Sequence, residues 1–124
     1  MRLISTGSLF EATMGYSRAV VKGGWCFISG VTGYDYATMQ MPGEIADQAR
    51  ACFATIDRVL HEAGFSMADI VRVQYTVVDA GLVDALAPVL GEALGNVRPA
   101  ATMIIAGLIR PEMLVEIEVT AFKG

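Results

Sequence analysis

Positive charge is scarce in this chain: nine Lys and Arg stand against thirteen Asp and Glu, for a formal net charge of −4. Phosphate backbones are held mainly by clustered Lys and Arg, and no such cluster occurs, so neither RNA nor DNA is expected as a partner. Cysteine is equally sparse. Cys26 and Cys52 both sit in apolar settings, which argues against a disulfide scaffold or a thiolate metal cluster and predicts buried thiols. The lone His61 has no second His or Cys at ligand spacing, so no metal site is expected. No uncharged run has the continuous apolar length of a membrane span. The amino end, "MRLISTGSLFEATMG", lacks the apolar segment of a cleavable signal, and a cytoplasmic protein is expected. P-loop, Rossmann glycine, nucleophile-elbow and metal-helix motifs are all missing.

What is present is apolar surface. Hydrophobic residues make up 54% of the 124 positions and charged ones 18%, on a length that suits one domain over residues 1–124. A domain this small leaves much of its surface outside, so the surplus predicts burial between identical subunits.

"RAVVKGGWCFISG" reads as two strands joined at Lys22-Gly23-Gly24, and "RLIS" adds an earlier one. "VTGYDYATMQMPG" is aperiodic and reads as a loop. From Glu44 onward Ile45, Ala49, Cys52, Phe53, Ile56, Val59, Leu60 and Ala63 recur at helical spacing until Gly64, a left-handed stop. "DIVRVQYTVVD" alternates, with Val71, Val73, Tyr75 and Val77 on one face. Asp79 caps a second helix that carries Leu82, Leu86, Val89, Leu90 and Leu94, is kinked at Pro88, and stops at Gly95. "ATMIIAGL" and "MLVEIEVTAF" are the last strands. The order β-β-β-α-β-α-β-β predicts an α+β layer in which two helices cover one face of a mixed sheet.

For chemistry, Glu116 and Glu118 are two apart on the last strand and share a face, roughly 7 Å from each other. Such a pair suits acid and base work, or is a solvated strand face. Tyr34 and Tyr36 in the loop are candidates to stack on a ligand, or are packed there.

"GYSRAVVKGGWCFISG", "QARACFATIDRVLHEAGFSMADIVRVQYTVVD" and "RPAATMIIAGLIRPEMLVEIEVTAF" resemble the Rid family of reactive-intermediate deaminases, also called the YjgF type, over nearly the whole chain. The resemblance implies a chorismate-mutase-like α+β fold and a homotrimeric barrel with a ligand cleft at each subunit interface. It also implies hydrolysis of enamines and imines to a ketoacid and ammonia, with no cofactor and no metal. It places Tyr16 on the cleft tyrosine, Ser29 and Gly30 on the "SG" turn, and Glu116 on the cleft glutamate. In that role Glu116 positions or deprotonates water, Tyr16 donates to substrate, and the Gly30 N–H faces a substrate oxygen.

The chain also departs from the family. Where the family's carboxylate-binding arginine lies in a P-A-R-S/T string, this sequence reads Pro99-Ala100-Ala101-Thr102, so Ala101 replaces the arginine. Met103 stands where many members have cysteine, and Pro88 where a cleft asparagine is found. Two cations are candidate replacements. Arg98 lies three residues, about 10 Å of strand, before Ala101 and reaches the site if the chain bends before Pro99; Arg18 lies two residues after Tyr16, on the same face of an extended segment. The expectation is a trimer whose clefts bind a small anionic molecule, either as an imine or enamine deaminase or as a non-catalytic ligand-binding trimer. Ribonuclease activity is disfavoured by the acidic balance.

Overall fold

The computed structural model describes residues 1–124. Nine principal elements follow one another: β1 (Arg2–Ile4), α1 (Leu9–Met14), β2 (Ala19–Lys22), β3 (Trp25–Val31), α2 (Ile45–Ala63), β4 (Ile70–Val77), α3 (Val83–Leu94), β5 (Ala100–Ile105) and β6 (Val115–Phe122). Single 3-10 turns at Met67–Asp69 and Ala80–Leu82 lead into β4 and α3. The expected α+β class is observed, with one addition, α1, between the first two strands.

All six strands form one sheet in the order β1-β2-β3-β6-β4-β5. Neighbours are antiparallel except β4 and β5, which run parallel because α3 carries the chain back between them. The last strand therefore lies at the centre of the sheet, between β3 and β4. Its Val115, Ile117, Val119 and Ala121 are buried on the helix side, while Glu116, Glu118, Thr120 and Phe122 face the other way.

The helix α2 buries Ala49, Cys52, Ile56 and Leu60 completely. It ends at Gly64, whose φ of 85° lets its N–H turn back to the Leu60 and His61 carbonyls. Both cysteines are buried and free, and the Cys52 thiol donates to the Val31 carbonyl at 3.2 Å. No helix is long and apolar enough to cross a membrane.

Three local expectations change. A bulge in β4 lies between Ile70 and Arg72, so Ile70 takes the inward place and Val71 is exposed. Gly95 is right-handed, at φ −58°, and the left-handed residue is Arg98 at φ 56°. The chain keeps turning past Gly95, and the Arg98 N–H still reaches the Leu94 carbonyl. A side chain at Gly95 would run into the Gly91 carbonyl, so close approach explains the glycine there. Finally, α1 is capped by Ser8, whose hydroxyl accepts from the Phe10 N–H, and by Gly15 at φ 74°.

Two apolar surfaces are left uncovered. Every residue of the edge strand β5 is exposed, including Met103, Ile104 and Ile105. On the face opposite the helices, Trp25 stacks on Phe27 and tilts against Phe122, with ring centroids 6.0 and 4.6 Å apart.

Candidate active site

Between Ile28 and Val31 the β3 ladder slips: Ile28 pairs with Val119 and Val31 with Ile117, so Ser29 and Gly30 together oppose Glu118. The expected "SG" turn is thus a bulge inside the strand. Arg18, in the segment joining α1 to β2, holds it open. Its Nη1 donates to the Gly30 carbonyl at 2.7 Å and to the Ser29 carbonyl at 3.2 Å. The Ser29 N–H returns a bond to the Arg18 carbonyl, and the Ser29 hydroxyl donates to the Ser17 carbonyl at 2.7 Å.

The Arg18 guanidinium is fully buried between two rings, Tyr36 at 4.9 Å and Tyr16 at 5.7 Å. Tyr36 also accepts the Thr32 N–H. Tyr34 is buried as well and donates to Glu112 at 2.7 Å; burial and that carboxylate push its pKa up to about 12. Both loop tyrosines are therefore packed inside the protein, the second of the two readings their sequence setting allows.

Across the bulge, the Glu116 carboxyl rests on the Cα of Gly30. Burial raises its pKa, the neighbouring Glu118 raises it further, and Arg18 draws it back down. Within the influence of the Arg18 charge is also Glu11 of α1, 6% exposed, which accepts from the N–H and hydroxyl of Thr6. Burial alone would raise the Glu11 pKa, but the hydrogen bonds from Thr6 and Ser5, with Arg18 nearby, leave it lowered. Burial likewise raises the Tyr16 hydroxyl. A groove of ≈ 370 Å³ reaches this cluster at Tyr16 and Ser17. A larger one of ≈ 760 Å³ lies elsewhere, between α2 and the loop from Gly33 to Pro42.

Five of the residues singled out from sequence, Tyr16, Arg18, Ser29, Gly30 and Glu116, thus come together. Ala101 and Arg98 do not join them in the same chain. Ala101 pairs with Val73 and Glu116 with Thr76, which separates them by about 10 Å along the strands and about 10 Å across. Arg98 is exposed two residues before Ala100, which pairs with Arg72, so it lies about 20 Å along the sheet from Glu116. Pro88 is exposed within an unbroken α3.

One member of the cluster, Glu11, was not singled out from sequence, and Tyr36 was singled out as a ligand-stacking or packed residue without its Arg18 partner. Ser8 followed three residues later by Glu11, then Gly15, is a legible helix start and stop. Nothing local marks Tyr36 as a partner of Arg18.

The model of the Endoribonuclease L-PSP family matches residues 6–123. A RutC family protein of Leuconostoc mesenteroides is 32% identical, over 98% of each chain. The 2-iminobutanoate/2-iminopropanoate deaminase of Capra hircus is 28% identical, over 99% of this chain and 90% of its own. Among solved structures, Rv2704 of Mycobacterium tuberculosis, a member of the YjgF/YER057c/UK114 family, superposes with a TM-score of 0.90 at 36% identity over 98% of each chain. With the family model matching residues 6–123, the chain belongs to the Endoribonuclease L-PSP family, the group also called YjgF, RutC or Rid.

Proposed function

We propose that this protein is an enamine or imine deaminase, working without metal or cofactor in clefts between the subunits of a homotrimer. The observation that carries the reading is the half-buried Glu116 carboxyl, seated on Gly30 with its proton affinity raised by burial. A carboxylate so tuned is a competent base toward water. Glu116 takes a proton from the attacking water, the Gly30 N–H and the Tyr16 hydroxyl donate to the substrate or the developing oxygen, and Ser29 fixes the bulge. Arg18 is a positioning residue in this scheme, since its Nη1 is engaged by the Ser29 and Gly30 carbonyls. The names of distant relatives such as the Capra hircus deaminase support the reaction class.

The trimer is supported by the exposed apolar edge of β5, which needs a covering partner, and by the position of Ala101 on that edge, where it can meet Glu116 only across an interface. Net acidity weighs against an RNA substrate.

The test is ammonia release from imines generated in situ by flavin oxidases, with the wild-type chain and with Glu116→Gln. Acceleration that the variant loses is the expected result. No acceleration by the wild type overturns the deaminase reading and leaves a trimer that binds without turnover.

A further inference from the structure

The cavity of ≈ 760 Å³ between α2 and the loop from Gly33 to Pro42 takes no part in the chemistry at Glu116. It is formed within one chain, with Ser5 and Thr6 lining it on the side next to β1. β1 and β5 are opposite edges of the sheet, so the cavity lies at the end away from the uncovered apolar strand. Its volume is in the range of small-molecule sites. Ala51, Ala54 and Val59 of α2 give it an apolar wall. Thr55 stands in the same wall and is 3% exposed. Its hydroxyl bonds to no group of the chain. The enclosed side-chain atoms without a partner are Glu11 Oε1 and Arg18 Nε, so the Thr55 hydroxyl keeps an opening, and the cavity is what it opens on. Almost one turn on, Arg58 lines the cavity with a guanidinium that forms no ion pair; the ion pairs of the chain are Arg50 with Asp47 and His61 with Asp57. Glu62 follows Arg58 about 6 Å along the helix axis, and Asp35 lines the cavity from the loop.

From these groups we infer that the cavity binds a zwitterionic α-amino acid with a short apolar side chain. The inference is independent of the deaminase reading. A carboxylate finds the open N–H fork of Arg58. An ammonium group finds the carboxylate of Glu62 or Asp35, and the Thr55 hydroxyl, both donor and acceptor, completes either end. The ligand's side chain covers Ala51, Ala54 and Val59. Other ligand classes meet a penalty here. A phosphate dianion is repelled by the two carboxylates that share the cavity with Arg58, and a simple amine is repelled by Arg58 itself. A neutral ligand takes water from all three charges and returns no counter-charge.

The test is an NMR titration of the isotope-labelled protein with L-valine, isobutyrate and isobutylamine. Valine carries both charged groups and each of the others carries one. Valine should shift the amide signals of Ala54, Thr55 and Arg58, and should bind about tenfold or more tightly than either half, the size of one charge contact. If isobutyrate or isobutylamine binds as well as valine, the zwitterion is overturned. Valine shifts confined to residues around Glu116, or no shifts at all, remove the site. Arg58→Gln and Thr55→Val should each weaken valine about tenfold, and unchanged binding in either variant overturns the assignment. Thr55→Val replaces a hydroxyl that has no partner in the chain, so thermal melts should show no loss of stability. A marked loss would mean that the hydroxyl serves the fold and would overturn its part in the site.

Discussion

The Glu116 carboxyl lies directly on Gly30: a Cβ built on Gly30 would stand 2.5 Å from Glu116 Cδ and 2.7 Å from Oε1. Glycine leaves room at this point of the bulge for the Glu116 carboxyl, which occupies the space a Cβ would take. The obstructing atoms are the end of a flexible side chain and can swing away. Gly30→Ala is therefore expected to cost only about 1–2 kcal/mol, within the range of mild overpacking. It should nevertheless displace the carboxyl, return its titration toward the ordinary range and remove any Glu116-dependent hydrolysis. Thermal melts together with an NMR titration of Glu116 separate the two effects.

Glu116→Gln should raise stability at neutral pH. A carboxyl whose folded pKa exceeds its unfolded value adds stability below the unfolded pKa, and loses it as pH rises through the folded pKa. Glutamine does not titrate. The gap between variant and wild type should therefore open in the variant's favour as pH climbs through the carboxylate range, and close below it. Denaturant melts across that range would show the opposite trend if Glu116 were stabilised as an anion.

Replacing Arg18 with methionine leaves the Ser29 and Gly30 carbonyls without their donor and removes a cation stacked on two rings. A loss of about 3 kcal/mol is expected from the unsatisfied groups. The Glu116 pKa should rise further, because Arg18 is what lowers it. An unchanged titration would mean that Arg18 acts only on packing.

Ile105→Lys places a charge on the uncovered edge strand, where Ile105 is 48% exposed. The side chain is free in the isolated chain, so the fold should tolerate the change. Light scattering should show the proposed trimer of the wild type reduced to single chains; a variant that remains trimeric would put the interface elsewhere.

Gln48 is 1% exposed and ties three loop groups: its Nε2 donates to the Pro42 and Glu112 carbonyls at 2.8 and 2.9 Å, and its Oε1 accepts the Leu114 N–H at 3.0 Å. Gln48→Leu keeps the volume but orphans all three, and a loss of about 2–4 kcal/mol in denaturant melts is expected.

Much of the scaffold was legible because it rests on short-range periodicity. The apolar recurrence from Ile45 to Ala63 and the alternation from Val115 to Phe122 specify a helix face and a strand face wherever those elements end up. The Gly23 turn and the Gly64 stop are local backbone demands, each met by a positive φ. The misread positions are those where a longer-range constraint wins. Val71 follows the expected alternation in sequence but is turned outward by the bulge against β6, and Gly95 answers to the Gly91 carbonyl more than to handedness. The short helix α1 was missed although Ser8, Glu11 and Gly15 marked its ends.

The sequence by itself determined the α+β element pattern, the burial of the cysteines and the net acidic balance, and through family resemblance it named Tyr16, Ser29, Gly30 and Glu116 as candidates. Only the tertiary structure decided where Arg18 and Arg98 lie within one chain. Sequence spacing treats both as charges near Pro99 or Tyr16. The sheet order, however, puts Arg98 at the far end from Glu116, and the bulge between Ile28 and Val31 turns two carbonyls onto Arg18. The reason is physical: a buried guanidinium must satisfy its donors, and which acceptors lie within reach depends on strand neighbours far apart in sequence.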